Sequence, residues 1–398
     1  MRSASPGARP GAVRRVPPRA GDIRVAVDAM GGDHAPGAAV AGAVLAAREL
    51  GIPVWVVGHE DVVGVQLADH ETRDLPITVH HAPDIVRMDE SPVLAVRRKP
   101  HCSIRAAFDL LHDGTVSAVV SAGHSGALIA GALFAVGRLP SVERPAIAVS
   151  IPVARGQVIL LDAGANVDAQ ASHLVQFAVM GEVYARVLCG ISAPRIGVLS
   201  NGEEESKGTE TTRVASTALR AAPLDFVGYV EGRALCQGAV DVVVCDGFVG
   251  NAVLKAIEGF GELAGEVLSE AFRGTWKARL GYLLARRALG EVRARFDYSE
   301  YGGAPLLGIN GTAIVAHGSS GPRAVRNAIR VAHESARLEV GGQMVDALRG
   351  LPAVTAEGGA RRRRLWKHLR DRLAGMRDGH QSAGAGQAED DHASRPVT

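Results

Sequence analysis

At 398 residues, with 47% apolar and 22% charged residues, the chain is long enough for one large core or two lobes and too apolar to stay disordered. A net charge of +2 argues against nucleic-acid binding over the whole surface. The four cysteines, Cys102, Cys189, Cys236 and Cys245, are scattered without a CxxC pair, which fits a reducing compartment and leaves out a disulfide framework or a structural zinc.

Residues 1–22, rich in Arg, Pro, Gly and Ala, read as a disordered tail and lack the apolar stretch of a secretory signal. From Ile23 to about Pro352 short Val/Ile runs alternate with Gly-containing turns and long Ala/Leu-rich segments. Strands are expected at Ile23–Asp28, Val54–Gly58, Ile77–His80, Val116–Ser121 and Ile147–Ile151, then at Val158–Asp162, Ile196–Ser200, Phe226–Tyr229, Val240–Cys245 and Ala313–His317. Helices are expected at Gly37–Leu50, Ala127–Gly137, Ala171–Leu188 and Ala252–Ala271. Strands apolar throughout and alternating with helices predict a three-layer α/β/α fold around a largely parallel sheet. The catalytic domain is drawn at 23–353 and a basic, then disordered, tail at 354–398. No apolar run reaches the ~20 residues that span a bilayer, so the expectation is a cytoplasmic protein that meets membrane only at its surface.

In open parallel sheets ligands sit beyond the carboxyl ends of strands. Six polar, Gly-rich turns occupy such positions: Asp28–Asp33, Ser121–Gly126, Asp162–Asn166, Asn201–Gly208, Asp246–Asn251 and His317–Gly321. Glycine lets backbone amides approach an anion, and the helix that follows offers unsatisfied N–H groups. Any one such turn is more often a simple helix cap; six, expected along one edge of the sheet, suggest a polar cleft for phosphate or a developing oxyanion. None is a GxxxxGK[ST] loop or a clean GxGxxG, so ATP, NAD and any other cofactor are not indicated, and no His/Asp cluster has metal-ligand spacing.

Within these turns Ser125, Ser319 and Ser320 supply hydroxyl donors, and His124 and His317 are polar candidates. Lys207 follows three glutamates and reads equally as part of a solvated charge run or as an anion ligand. Lys255 lies one helical turn beyond Asn251, so the two face one ligand or Lys255 is simply exposed. Cys245, which closes an apolar run, reads as a small buried strand residue rather than a thiol nucleophile.

The 275–295 segment sets Trp276, Leu280, Leu283 and Leu284 on one helical stripe among Lys277, Arg279, Arg286 and Arg287. That pattern reads as a basic amphipathic helix for a membrane surface or an acidic partner, against the plainer reading of a core-packing helix. Residues 361–370 repeat the basic theme.

Val27–Pro36, Leu161–Asp168, Gly202–Glu205, Val244–Asn251, Asp297–Leu307 and Ala316–Ser320 resemble, in order, the motifs of the bacterial phosphate acyltransferase (PlsX) family over roughly residues 23 to 350. The resemblance implies a homodimeric enzyme with a Rossmann-like sheet, similar to phosphate acetyl- and butyryltransferases, that moves a long-chain acyl group from acyl carrier protein to inorganic phosphate at the start of phospholipid synthesis. Its product would pass to a membrane acyl-phosphate:glycerol-3-phosphate acyltransferase. Two departures stand out: His124 replaces the family's usual Asn, and the basic tail runs past the usual family end.

Phosphate can attack a thioester without a strong base and the thiolate leaves readily, so positioning and preorganised donors suffice and no acyl-enzyme is needed. On that reading Lys207, His317, Asn166 and Asp246 are the catalytic candidates. Ser121, Gly123, His124, Ser125, Gly126, Asp162, Asn251, Lys255, Ser319 and Ser320 are the phosphate- and substrate-binding ones. A short-chain acyl-CoA phosphate acyltransferase and a non-catalytic scaffold recruiting acyl carrier protein remain the alternatives.

Overall fold

Runs such as Val-Ala-Val-Asp and Val-Val-Val have apolar side chains on both faces, and both faces are covered. In the strand Val25–Asp28 (β1), Val25 and Val27 point into one apolar cluster and Ala26 into another. In Ala118–Ser121 (β4), Ala118 and Val120 share the first cluster while Val119 joins the second. This period of two, with helices over each cluster, is the physical content of a three-layer α/β/α fold.

The computed structural model describes residues 23–153, 156–296, 302–349 and 351, with side chains at 291–296 left aside. The described residues fall in one compact unit ending at Pro352. The readings made for 1–22, 297–301 and the 354–398 tail, including its basic run, lie outside the described residues.

Between and after these strands come α1 (Gly37–Leu50), β2 (Val54–Gly58), α2 (Glu60–Ala68), β3 (Ile77–His81), α3 (Pro92–Arg98), α4 (Ser103–His112) and α5 (Ser125–Ala135). The second part runs β5 (Ala146–Pro152), β6 (Gln157–Leu161), α6 (Ala171–Leu188), β7 (Ile196–Leu199), α7 (Glu210–Arg220) and β8 (Phe226–Val230). It continues with α8 (Gly232–Gln237), β9 (Val242–Val244), α9 (Gly247–Arg273) and α10 (Trp276–Phe296). The chain then returns through β10 (Ala304–Leu307), β11 (Thr312–Val315), α11 (Pro322–Arg337) and α12 (Val340–Leu348). The helices expected at Gly37–Leu50 and Ala171–Leu188 and the strand expected at Val54–Gly58 have those bounds, and the other expected strands and helices shift by a few residues. Strand β10 was not anticipated; Pro305 in its middle reads as a strand breaker.

The strands form one eleven-stranded sheet in the order β3-β2-β1-β4-β11-β10-β5-β6-β9-β7-β8. Neighbours β3, β2, β1, β4 and β11 are mutually parallel, and so are β6, β9, β7 and β8. Between the blocks lie three antiparallel pairings, β11 with β10, β10 with β5 and β5 with β6. Three reversals leave the two parallel blocks running in opposite directions. The expectation of six turns along one edge is therefore corrected. The turns after β1, β4 and β11 lie at one edge, and those after β6, β7 and β9 at the other. No helix among the described residues is long and apolar enough to cross a membrane.

Candidate active site

The three turns after β1, β4 and β11 are knit together around Asp28, which is only 4% exposed. Its carboxylate accepts from the Ser121 hydroxyl at 2.7 Å and from the Met30 amide at 3.1 Å, with the Ser103 hydroxyl and the Gly31 amide also bonded to it. Burial pushes the Asp28 carboxyl above the ordinary carboxylate range, while those four donors pull the other way. A Cβ on Gly31 would lie 2.6 Å from the Gly123 nitrogen, so the 28–31 and 121–124 turns touch only because neither glycine has a side chain. The Asp33 amide donates to the Gly318 carbonyl at 2.8 Å, which brings in the third turn.

Around this knot the predicted residues take definite places. Ser121 is buried, and its hydroxyl also accepts from the Gly123 amide at 3.0 Å. His124 is the N-cap of α5 and accepts from the Gly126 amide through Nδ1 at 3.1 Å. It thereby does what an N-cap Asn does, so the departure at this position keeps the local structure. Ser125 is exposed in the first turn of α5. His317 is exposed, with Nδ1 2.7 Å from the Ser319 hydroxyl, and Ser320 is buried with its amide donating to the His317 carbonyl. Asp28, Gly31, Ser121, Gly123 and His124 line one cleft, whose apolar wall is Ile85, Val86 and Ile104.

The second set of turns is organised around Asp162, which has no exposed surface. One carboxylate oxygen accepts from the amides of Ile147, Gly164 and Ala165; the other accepts from the Asn166 amide at 2.6 Å and its side-chain amide at 2.9 Å. The Asn166 carbonyl in turn accepts from Gly247 at 2.7 Å, which pins the N-terminus of α9 to the 162–166 turn. A Cβ on Gly250 would sit 1.9 Å from the Asp162 carbonyl oxygen, so only glycine fits there. Asp162 and the Asn166 side chain, both listed above among substrate and catalytic candidates, are thus taken up in holding backbone. Asp246 is the N-cap of α9, accepting from Val249 at 2.9 Å. Asn251 is exposed beside Gly164.

At the same edge the Asn201 side chain accepts from the Gly208 amide and closes the loop that carries Lys207. Lys207 is exposed, its aliphatic stem against Gly202. Lys255 pairs with Glu258 at 2.7 Å on the outside of α9, which matches the exposed-lysine reading. The structure therefore groups Ser121, Gly123, His124, Ser125, Gly126, His317, Ser319 and Ser320 at one edge. It groups Asp162, Asn166, Lys207, Asp246 and Asn251 at the other.

Two residues at the centre of the first knot were missed as candidates. Asp28 carried a signal, a carboxylate ending an apolar strand. Ser103 carried none, since nothing in its helix start marks a buried partner. Cys245 and Cys102 are buried and burial pushes both thiols up, which agrees with a packing role for Cys245. On α10, Trp276, Leu280, Leu283 and Leu284 are all exposed, the last by 83%. Lys277 lies 5.8 Å over the Trp276 ring, and Arg279, Arg286 and Arg287 are exposed around the stripe.

This α/β/α sheet with glycine-bounded donor turns at its strand ends is similar in fold to a phosphotransacetylase. The phosphotransacetylase from Streptococcus pyogenes superposes with a TM-score of 0.50 at 18% identity, over 79% of this chain and 94% of that one. The model of a family described as "Fatty acid synthesis protein" matches residues 23–342. The phosphate acyltransferase of Geotalea daltonii is 52% identical over 326 residues, 82% of this chain and 94% of the relative. That of Anaeromyxobacter sp. is 53% identical over 314 residues, 79% and 87% respectively. The chain belongs to the phosphate acyltransferase family and is an acyltransferase.

Proposed function

We propose that this enzyme transfers a long-chain fatty acyl group from acyl carrier protein to inorganic phosphate, giving an acyl phosphate for phosphatidic acid synthesis. The observation that carries the reading is the set of amide- and hydroxyl-rich turns held open at strand ends in a phosphate acyltransferase relative. A phosphate oxygen attacks the thioester carbonyl, the C–O bond forms, and the C–S bond breaks to release the carrier thiolate. Exposed Lys207 and His317 and the turns at 121–126 and 317–320 hold phosphate and the tetrahedral oxyanion, while Asp28 and Asp162 fix the turns that present the donors. Direct transfer fits the burial of Cys102 and Cys245.

The test is hydroxylamine trapping of acyl phosphate from palmitoyl-acyl carrier protein with and without phosphate. Phosphate-dependent hydroxamate is expected, weak or absent with acetyl-CoA. Turnover of short acyl-CoA alone would make the enzyme a short-chain relative, and no turnover of either would support the scaffold reading.

Because the two sets of turns lie at opposite sheet edges, the reading places each complete site across a homodimer, one set from each subunit. The apolar stripe Phe260, Leu263 and Val267, exposed on α9, supports a second copy as the neighbour of this helix. The α10 stripe supports attachment of the cytoplasmic enzyme to the membrane surface, where the acyl phosphate is handed to a membrane acyltransferase. Replacing Leu280, Leu283 and Leu284 together by Ser is expected to lower binding to phosphatidylglycerol vesicles by at least about tenfold, since full burial of even one apolar side chain contributes about 1.5–3 kcal/mol and tenfold needs about 1.4 kcal/mol. Unchanged sedimentation with vesicles would remove α10 from the membrane contact.

A further inference from the structure

The apolar wall of the first cleft, Ile85 and Val86, belongs to a segment that continues outward into α3. This helix packs its Ala95 and Val96 inward. The first turn also packs against the start of α5, between the cleft residues His124 and Ala127, since a Cβ on Gly126 would be 2.9 Å from the Pro92 ring. Its opposite face is unusual. Val93 is 52% and Leu94 48% exposed, and Arg97 and Arg98 follow one turn later on the same side. Arg97 and Arg98 are exposed and make no ion pair with a described residue. Met88, 73% exposed, and Arg87 extend the patch towards the cleft wall, and Arg87 is held only loosely, 3.6 Å from Asp89.

A helix that shows water two aliphatic side chains and two unpaired arginines presents an apolar centre with a cationic border. That combination complements an acidic surface with a small apolar contact, and steers it by charge. We propose that the outer face of α3, with Arg87 and Met88, is the docking surface for the acidic carrier protein, seated so that its thioester arm passes Ile85 and Val86 into the cleft floored by Ser121 and His124. The assignment rests on the acyl carrier protein reading above, and it separates the carrier surface from the α10 stripe.

The test uses the full-length enzyme with Arg97→Glu and Arg98→Glu combined, alongside the milder Arg97→Gln/Arg98→Gln pair. For acyl carrier protein KM is expected to rise about tenfold or more in the charge-reversed variant and less in the glutamine variant, with kcat nearly kept. The KM for phosphate is expected to hold, and the rise of carrier KM with salt that the docking surface predicts for the unaltered enzyme is expected to flatten. An unchanged carrier KM in a folded variant overturns the docking surface. So does a variant whose carrier KM holds while its binding to phosphatidylglycerol vesicles is lost, because the patch is then a lipid contact. If the unaltered enzyme turns over palmitoyl-CoA but no acyl carrier protein, it is the carrier reading itself that falls, and the docking surface with it.

Discussion

Mixing two inactive variants, Lys207→Ala and His317→Ala, under conditions that exchange subunits is expected to restore activity. Each variant alone should lose about a hundredfold in turnover, the usual scale for removing one preorganised donor from an oxyanion or phosphate site. Lys207 follows β7 and His317 follows β11, and those strands belong to blocks of opposite direction. If a site takes its β11-side turns from one subunit and its β7-side turns from the other, a mixed dimer carries one site with both residues intact and one with neither. Random exchange makes about half of the dimers mixed, so about a quarter of the sites are restored. A second mixture sharpens the result. Equal amounts of unaltered enzyme and the Lys207→Ala/His317→Ala double variant keep about half of the activity if each site is built within one chain, and about a quarter if sites are shared. No recovery in the first mixture and half in the second would place both residues in one subunit's site.

The sheet-reversing pairings explain why the sequence located every turn yet misplaced their arrangement. Strand identity is local: Val54–Gly58 and the helix Gly37–Leu50 announce themselves by composition and period, and the structure has them at those bounds. Strand direction is not local, but one clue was present. Parallel neighbours need a crossover of about a dozen residues or more. The expected strands at 147–151 and 158–162 are far too close for that, and β5 and β6 indeed pair antiparallel. The reversals on either side of β10 had no such clue because Pro305 hides the strand; β11 follows it within a few residues, but its other neighbour, β5, is distant in the chain.

Site chemistry was legible to a similar depth. Polar residues at strand ends were visible as a class, but their partners were not. His124 and Asp246 sit at helix starts, and capping is what the bare sequence would favour for them. Asp162 and Asp28 look alike in sequence, each closing an apolar run. The structure shows that both spend their oxygens on backbone amides and neighbouring side chains, and on the function proposed above they shape the turns rather than contact the reacting atoms. Lys207, followed by a glycine and exposed, stayed ambiguous because no spacing rule distinguishes a solvated lysine from an anion ligand.

That difference makes Asp162 the position with the largest expected effect on stability. Asp162→Ala removes the fully buried acceptor of five N–H groups. Losing the buried partner of several donors costs about 3–5 kcal/mol, a large part of the stability of an ordinary domain. Asp162→Asn is also unfavourable, for a different reason. One amide oxygen still faces three backbone amides, but the new NH2 points at the two donors of Asn166, so donors oppose donors. Urea unfolding should therefore show a lowered midpoint in both variants, larger for alanine, at an unchanged m-value. Turnover should fall with them, because the Asn166 carbonyl that receives the Gly247 amide loses its support, and α9 with Asp246 and Asn251 loses its anchor. A substrate-contacting Asp162 predicts the reverse pattern: an Asp162→Asn enzyme as stable as the unaltered one, yet inactive. The unfolding midpoint thus separates a carboxylate that builds the site from one that works in it.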